Sequence, residues 1–532
     1  SAAGRAAYAE LAGQTARAAR RRITELLGAA GALRGDPEQI VHPVKFYEKG
    51  DLPLEIVTTR QWYIRNGSRD PALRQKLLAR GRELAWHPAH MRSRFENWVD
   101  GLTGDWLVSR QRYAGVPVPV WYPVAADGTP DRAHPIAPAD ADLPVDPTAD
   151  VPPGYRADQR NAPGGFAADP DVLDTWATSS LTPQIAAGWS TGDDLFAQVF
   201  PMDLRPQAHE IIRTWLFYTL LRGQAEEDAL PWRHAAISGW ILDPDRKKMS
   251  KSAGNVVTPA DFLRDYGGDA LRYWASSARL GVDTAFDPAQ LKVGRRLAVK
   301  ILNASRFVLG FEPRLAMGND FPGVTEPIDR ALLRQLAAVT GQCTSAFEAY
   351  DHAVALEQAE RFFWFFCDDY LELVKPRAYG ERGPAAAGSA IRTLREALSA
   401  VLRLLAPFLP FVTEEAWSWW RDGSVHRAAW PDPAALVALA DPGGTGAGAG
   451  GTEPGGTAAL DAAAAAIGAV RRAKSRARLP MKATVSQLIL TAPQEQLDAL
   501  DAAAPDVSAA GHVAAITLRP LPGIDAVHEV VL

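Results

Sequence analysis

The feature that most constrains the fold is an apolar run, residues 235–242, that leads into a lysine-rich loop. A short apolar run bounded by turn residues predicts a buried strand, and the Asp-Pro pair at 243–244 marks its end. The loop then contains Lys-Met-Ser-Lys-Ser at residues 248–252. Two lysines at this spacing can close on a polyphosphate, because each is a point charge with rotatable donors. A solvated basic loop is the alternative, but this pattern after a strand favours phosphate binding.

The sequence around this loop predicts an α/β fold. Residues 171–275 alternate strand-like and helix-like segments, with an amphipathic helix predicted over 207–221. Such alternation indicates a parallel sheet with crossover helices, in which ligands bind beyond the carboxyl ends of the strands. Earlier in the chain, residues 54–59 alternate weakly like a strand, and residues 70–102 have a helical pattern. No Gly-x-Gly-x-x-Gly follows a strand, so a dehydrogenase has no support.

The later part of the chain predicts an all-α region and then a small α/β region. Amphipathic helices are predicted over 292–309, 329–350, 353–374, 385–407 and 411–420. Residues 362–366 are apolar on nearly all sides, so they should lie deep in a helical bundle. A Gly/Thr/Ala-rich stretch at 441–456 predicts a flexible linker, and a strand is predicted over 485–491.

Composition limits the class of protein. A chain of 532 residues with 47% hydrophobic residues has material for several packed domains. The net charge of −5 restricts any RNA contact to local basic patches, such as the five basic residues at 471–478, for which a solvated helix face is an equal alternative. Cys343 and Cys367 lie in apolar sequence and are expected to be free thiols in a reducing cytoplasm. No apolar run spans a membrane, and residues 1–27 read as an amphipathic helical segment.

The lysine-rich pentapeptide, followed by Gly254 and Asn255, resembles the second signature of the class I aminoacyl-tRNA synthetases. Over essentially the whole chain, the sequence is similar to the valyl-tRNA synthetases of that family. The family's first signature, His-x-Gly-His, is absent from the sequence. The chain is therefore expected to be a fragment, or to work with a missing amino-terminal half supplied by another polypeptide.

The resemblance implies a domain order. The expected parts are the tail end of an editing insertion (1–50), the second half of a Rossmann-like catalytic domain (51–287, with a surface excursion at 123–170), a helical anticodon-binding domain (288–435), a linker (436–456) and a small carboxyl-terminal α/β domain (457–532). Because only the end of the editing insertion is present, we expect this chain alone not to hydrolyse threonyl-tRNA.

The resemblance also implies an activity: ATP-dependent activation of L-valine to valyl-adenylate and transfer to tRNA(Val), with Mg²⁺ accompanying ATP. Lys248 and Lys251 are the expected catalytic residues. The expected ATP contacts are Lys251, Lys248, Ser250 and Ser252. Gln207 and Glu210 lie in a segment similar to the family's Glu-Gly-x-Asp-x-x-Arg-x-Trp, and they are the expected adenylate or ribose contacts. The sequence departs from that segment because it has Ala208 for the Gly and Glu210 for the Asp.

The resemblance places the valine pocket at Trp176, Ile211 and Trp215. Ile211 and Trp215 are four residues apart and would share one helix face. The isoleucyl enzymes typically carry Gln at the position of Ile211 and Val at that of Thr175, so both residues favour valine. Ordinary core packing is the alternative in a chain with 16 tryptophans.

No structural zinc is expected, because residues 123–170 contain no cysteine and His134 stands alone. Two other functions stay open at this point. One is an isoleucine-type class I tRNA ligase, and the other is a non-catalytic tRNA-binding module derived from a synthetase, which the missing first signature favours.

Overall fold

The computed structural model describes residues 2–38, 40–41, 43–46, 53–54, 58–189, 191, 194–249, 254–256, 258–311, 323–442, 457–523 and 525–532. The chain divides into two compact units, Ser1–Trp62 and Tyr63–Leu532. No helix among these residues is long and apolar enough to cross a lipid bilayer.

The described residues of the first unit include the helices α1 (Ala2–Leu11) and α2 (Ala16–Ala29). The side chain of Thr15 accepts the backbone N–H of Ala18 and caps α2, as serine and threonine commonly do at a helix start. These helices confirm the helical segment predicted near the start of the sequence. Of the strand predicted at 54–59, residues 55–57 lie outside the described residues.

Between residue 63 and the bundle the structure alternates short strands and helices. In chain order they are β1 (Tyr63–Ile64), α3 (Pro71–Glu83), β2 (Ala85–His87), α4 (Arg92–Asp100), β3 (Trp106–Leu107), β4 (Ser109–Arg110), β5 (Trp121–Pro123), β6 (Phe166–Ala168), β7 (Val172–Leu173), α5 (Thr175–Ser179), α6 (Thr182–Ala186), α7 (Leu195–Val199), β8 (Met202–Ala208), α8 (Phe217–Glu226), β9 (Trp232–Ser238), β10 (Ile241–Leu242), α9 (Pro259–Tyr266), α10 (Gly268–Ser276) and β11 (Thr284–Ala285).

The sheet that positions the lysine-rich loop is parallel, with strand order β2-β9-β8. Its central strand, β9, is the most buried, with Ala235 and Ile237 fully enclosed. The last pairing of β8 with β9 sets Ala208 opposite Ser238, so both strands end at the same edge. This confirms the predicted parallel α/β architecture around the loop.

The predicted strand over 235–242 is wrong in its extent, because Gly239 and Trp240 divide it into β9 and β10. β10 leaves the main sheet and pairs with β11. The chain crosses the 282–284 segment so closely at Gly239 that an added Cβ atom would collide with the carbonyl of Val282. Only a residue without a Cβ atom can occupy position 239 at this close approach. After Gly239, the chain turns away from the main sheet.

Two helix predictions are also wrong at particular residues. The helix predicted over 207–221 begins too early: Gln207 and Ala208 belong to β8, because their backbone groups pair with β9. A 3₁₀ turn (His209–Ile211) and a π turn (Ile212–Leu216) then precede α8. The helical region predicted over 70–102 contains β2, which pairs with β9. In both places tertiary strand pairing overrides a local helical pattern.

The helical bundle, residues 288–440, follows. Its helices are α11 (Pro288–Leu309), α12 (Pro327–Glu348), α13 (His352–Phe365), α14 (Leu371–Ala378), α15 (Pro384–Leu405), α16 (Pro410–Ser418) and α17 (Pro433–Ala440). The five predicted helices are present with shifted bounds, and a π turn (Phe366–Tyr370) interrupts the one predicted over 353–374. In the apolar stretch 362–366, Phe362, Phe363 and Phe366 are buried, while the two residues between them are half-buried.

The side-chain carboxylate of Asp269, on α10, connects the α/β region to the helical bundle. It accepts the backbone N–H groups of Phe411 and Val412, at 3.1 and 2.8 Å, at the start of α16. Burial raises the pKa of Asp269, and the two N–H donors oppose that shift. The second helix after the lysine-rich loop, α10, is therefore anchored on the first turn of a bundle helix, where a carboxylate is favoured.

The carboxyl-terminal region contains α18 (Ala458–Arg476), β12 (Gln487–Ala492), α19 (Gln494–Gly511), β13 (Ile516–Pro520) and β14 (Val527–Val531). Its sheet has strand order β13-β12-β14, with one parallel and one antiparallel pairing. The linker residues 443–456 lie outside the described residues. Within the basic segment of α18, Lys474 is buried and donates to two backbone carbonyls, and Arg471 donates to the carbonyl of Asp368, so these two charges contact protein.

A buried charge network joins the bundle to this last region. Arg377 donates from both terminal nitrogens to Asp329 at 2.7 Å, and its Nε lies 2.9 Å from a carboxylate oxygen of Asp506 on α19. The hydroxyls of Tyr370 and Ser389 also donate to Asp329. Burial disfavours the charged form of Arg377, but the two carboxylates raise its pKa overall. Each buried charge is thus paired and hydrogen-bonded, which is the condition for tolerating it.

Removing Arg377 should therefore leave the buried Asp329 without a cationic partner and Asp506 with Arg382 alone, at 3.2 Å. We expect Arg377→Leu to lower the free energy of unfolding by about 3–5 kcal/mol, measured by urea unfolding followed by circular dichroism. The matched control is Arg361→Leu on α13, whose exposed pair with Glu357 at 2.7 Å should cost no more than about 1 kcal/mol. Equal losses in the two variants would contradict the role given to the network.

Candidate active site

Three side chains meet at the carboxyl edge of β8 and β9. Glu210 lies in the 3₁₀ turn after β8, Trp240 follows β9, and Lys248 lies in the lysine-rich loop. The Lys248 ammonium is 3.1 Å from Glu210 Oε2 and 4.4 Å from the centre of the Trp240 ring. The indole N–H of Trp240 donates to the same Glu210 oxygen. The structure thus brings together Lys248, an expected ATP contact, and Glu210, an expected adenylate or ribose contact.

A tight turn fixes the stem of the lysine-rich loop. Leu242 bridges to Lys248 across the turn, and the Asp243 carboxylate accepts the backbone N–H of Lys247 at 2.7 Å. Asn255, beyond the pentapeptide, donates its amide to Asp243 at 2.8 Å and to the carbonyl of Lys248 at 3.2 Å. The hydrogen bond from Asn255, followed by that from Lys247, lowers the pKa of Asp243. The turn therefore holds Lys248 at the sheet edge.

Lys251, Ser250 and Ser252 lie outside the described residues. Their expected ATP contacts stay predictions. Asn255, which follows them in sequence, donates to Asp243 at the stem of the loop.

His209 and Asp283 contact Trp240 and hold it next to Glu210 and Lys248. The His209 ring is 4.7 Å from the Trp240 ring, and its Nε2 lies 3.5 Å from Asp283 Oδ1. The same Asp283 oxygen accepts the backbone N–H of Trp240 at 2.8 Å. Arg94 reaches the other ring nitrogen of His209 at 3.3 Å. Sequence reasoning missed Trp240 and His209, although His209 directly follows β8 and Trp240 lies two residues after the end of β9, at the edge where ligands bind in such sheets.

The side chain of Gln207, unlike that of Glu210, does not hydrogen-bond to Lys248. Its side chain is buried, accepts from Arg205 Nε at 3.3 Å and donates to the Ala208 carbonyl at 3.4 Å. Both ends of its amide are thus engaged along β8, whereas Glu210 reaches the lysine-rich loop. An adenylate contact by Gln207 stays a prediction.

The expected pocket residues lie on two adjoining segments. The indole N–H of Trp215 donates to the carbonyl of Ser179, the last residue of α5, and Trp176 stands near the start of that helix. Arg205 stacks on the Trp215 ring, and burial lowers the pKa of Arg205 to about 9. Ile211 ends the 3₁₀ turn, and a π turn follows it, so the expected α-helical spacing of Ile211 and Trp215 is wrong. A shared valine pocket stays a prediction.

Within the described part of the chain, no group of three or more His, Cys, Asp or Glu side chains could hold a metal ion. The expected absence of zinc stays a prediction.

Family comparisons agree with this arrangement. A family model described as tRNA synthetases class I (I, L, M and V) matches residues 19–287, about half of the chain. A second model, described as the anticodon-binding domain of tRNA ligase, matches residues 329–489. The first match contains the sheet and the lysine-rich loop. The second match contains most of the bundle and extends into β12.

Curated relatives that carry the name valine–tRNA ligase match nearly the whole chain. The protein from Salinispora tropica is 58% identical over 510 residues, which are 96% of this chain and 59% of that protein. The protein from Thermobifida fusca is 58% identical over 516 residues, which are 97% of this chain and 57% of that protein. The chain thus spans less than two thirds of the length of these relatives.

Two solved structures share the fold at low sequence identity. Mycobacterium tuberculosis methionyl-tRNA synthetase in complex with methionyl-adenylate has a TM-score of 0.52 at 19% identity, covering 71% of this chain and 66% of that one. An Agrobacterium radiobacter LeuRS in a ternary complex with tRNA and LeuAMS has a TM-score of 0.50 at 22% identity, covering 63% of this chain and 43% of that one.

The turn at Asp243 has a consequence that proteolysis can measure. Asp243→Asn removes the charge that holds the N–H of Lys247, so the loop stem should open more often. We expect trypsin to cleave after Lys247 and Lys248 several-fold faster than in the unchanged chain, measured by mass spectrometry over a time course. The control Asp245→Asn removes an exposed carboxylate from the same turn and should leave the rate unchanged. An equal rate for all three proteins would contradict the anchoring role of Asp243.

Proposed function

This chain belongs to the family of class I tRNA synthetases (I, L, M and V), and we propose that it works as part of a valine–tRNA ligase. The observation that carries the proposal is the meeting of Lys248 and Glu210 at the carboxyl edge of a parallel sheet, at the start of a Lys-Met-Ser-Lys-Ser loop. The name valine–tRNA ligase, which relatives at 58% identity carry, supports the choice of amino acid.

The proposed reaction has two steps. In the first, a carboxylate oxygen of valine attacks the α-phosphorus of ATP, and the bond to the bridging oxygen breaks, releasing pyrophosphate with its magnesium ion. In the second, a ribose hydroxyl at the end of tRNA(Val) attacks the adenylate carbonyl, loses its proton and releases AMP. Such reactions depend mainly on positioning and on stabilising charge.

The lysines supply the charge stabilisation. Negative charge develops on the departing pyrophosphate, and the ammonium groups of Lys248 and Lys251 are proposed to move against it, with the hydroxyls of Ser250 and Ser252 donating alongside. The Glu210 carboxylate is proposed to accept hydrogen bonds from the ribose hydroxyls, and Gln207 to contact the adenylate. Trp176, Ile211 and Trp215 are proposed to wall an apolar valine pocket.

The family resemblance also supports proposals for tRNA binding, for the segments that this chain lacks and for its location. We assign tRNA(Val) binding to the anticodon-binding domain at 288–435, with the carboxyl-terminal domain at 457–532 joined to it through Arg377 and Asp506. The first signature and most of the editing domain would come from the part of the relatives' length that this chain does not span. A cytoplasmic location is proposed because Cys343 and Cys367 are both free, buried thiols, as suits a reducing compartment.

A pyrophosphate-exchange assay tests this proposal. We expect valine-dependent ATP–pyrophosphate exchange when the chain is mixed with the missing portion of the Salinispora tropica relative, and little with the chain alone. Lys251→Ala should lower the exchange rate by about 10²-fold or more, the usual effect of losing one transition-state donor. The control Lys247→Ala removes a neighbouring positive charge outside the pentapeptide and should lose far less activity.

The same assay separates the competing functions. Faster exchange with isoleucine than with valine would indicate an isoleucine-type ligase. The second candidate is a non-catalytic tRNA-binding module derived from a synthetase. Tight binding of tRNA(Val) in a gel-shift assay, without exchange in any mixture, would favour that module and contradict the ligase.

A further inference from the structure

We infer that Trp240 is a positioning residue that holds Lys248 in a resting position on Glu210, from which a polyphosphate must withdraw the ammonium group. The inference deepens the proposed function, because it rests on Lys248 being a phosphate ligand. It adds that the protein itself supplies a partner for this lysine, built from residues beyond the two lysines of the motif.

The backbone of Trp240 is fixed on both sides. Its N–H donates to Asp283 at 2.8 Å, and its carbonyl accepts the N–H of Thr284 at 2.9 Å. The preceding Gly239 allows the close approach to Val282 that makes both bonds possible. The His209 ring packs against the indole at 4.7 Å between ring centres. The indole is thus held in place whether or not Lys248 contacts it.

Trp240 acts on Lys248 in two ways. Its ring face lies 4.4 Å from the ammonium group, within the range of a cation–π contact. Its N–H donates to Glu210 Oε2, the same atom that accepts Lys248 at 3.1 Å. The indole therefore orients the carboxylate and also contacts the cation that the carboxylate binds.

This arrangement allows exchange. The side chains of Lys248 and Glu210 are 55% and 38% exposed, and ion pairs at such exposure are weak and screened by salt. A polyphosphate, which carries several negative charges, can outcompete one half-exposed carboxylate for the ammonium group. After Lys248 leaves, Glu210 still accepts the Trp240 N–H, so the carboxylate stays oriented and is not left without a donor. When a polyphosphate binds, Lys248 thus exchanges one anionic partner, the Glu210 carboxylate, for another, a phosphate group.

Inorganic tripolyphosphate is the probe, because it has no ribose and so isolates the lysine from any ribose contact of Glu210. We expect Lys248→Ala to weaken tripolyphosphate binding in isothermal titration calorimetry of this chain. Trp240→Leu and Glu210→Gln each remove a competitor for Lys248. Trp240→Leu should therefore tighten binding by about two- to fivefold, the order of one exposed cation–π contact, and Glu210→Gln should also tighten it. Trp240→Phe keeps a ring face and should lie between the unchanged chain and Trp240→Leu.

Indole N–H resonances give a readout that a purely structural role of Trp240 would not move. In ¹⁵N-labelled protein, the Trp240 signal is identified by its loss in Trp240→Phe. We expect tripolyphosphate to shift this signal in the unchanged chain but not in Lys248→Ala. Trp364 is the matched control, because its N–H donates to Glu360 at 3.0 Å and Arg296 and Lys300 lie over its ring, at 5.5 and 5.7 Å. The Trp364 signal should stay unchanged.

The outcomes separate the two proposals. Weaker binding in Trp240→Leu, as in Lys248→Ala, would overturn the resting position, because Trp240 would then hold the lysine in its phosphate-binding state, and the proposed function would stand. The resting position would also be overturned if tripolyphosphate did not shift the Trp240 indole signal while Lys248→Ala still weakened tripolyphosphate binding. The proposed function would again stand. Unchanged binding in Lys248→Ala would refute the phosphate role in the proposed function and, with it, the exchange.

Discussion

Parallel pairing of β8 with β9 is the constraint on which the candidate site depends. Because Ala208 lies opposite Ser238, both strands end at one edge, and the residues after them enter the same space. Glu210 and Trp240, which are 30 residues apart in sequence, meet there through a direct hydrogen bond. A register shift of one residue would turn every side chain of the strand to the other face. The chemistry of the site is thus set by backbone pairing before any side chain is considered.

The structure contains an exposed ion pair at the candidate site and a buried ion-pair network between the bundle and the carboxyl-terminal region. At the sheet edge, the pair of Lys248 and Glu210 is exposed, so it is weak enough to exchange partners with a ligand. Between the bundle and the carboxyl-terminal region, Arg377 and Asp329 are almost fully buried, and each has several hydrogen bonds. Such a network is costly to break, and it fixes the relative placement of α12, α14 and α19. The exposed pair suits a site whose contacts change, and the buried network suits a rigid contact between the bundle and the carboxyl-terminal region.

Sequence reasoning predicted much of this fold and part of the site. The strand before the lysine-rich loop, the parallel architecture and the bundle helices follow from hydrophobic patterning, and Lys248 and Glu210 follow from family resemblance. The errors lie where tertiary contacts override local pattern: Gln207 pairs as a strand, β2 lies inside a helical stretch, and Gly239 divides an apolar run because of its crossing with Val282. Trp240 and His209 were missed because the pattern placed Trp240 inside a predicted strand over 235–242 and His209 inside a predicted helix over 207–221, so that neither was seen to follow a strand end. The domain boundaries and the roles of Lys251, Ser250 and Ser252 stay predictions.

The central claim is that ATP binds beyond the carboxyl ends of β8 and β9. Photolabelling of this chain with 8-azido-ATP, followed by peptide mapping with mass spectrometry, tests the location directly. The account predicts that the label falls on peptides from residues 202–213 or 234–248 and that unmodified ATP displaces it. Labelling confined to the bundle at 288–440 or to the carboxyl-terminal domain at 457–532 would contradict the account.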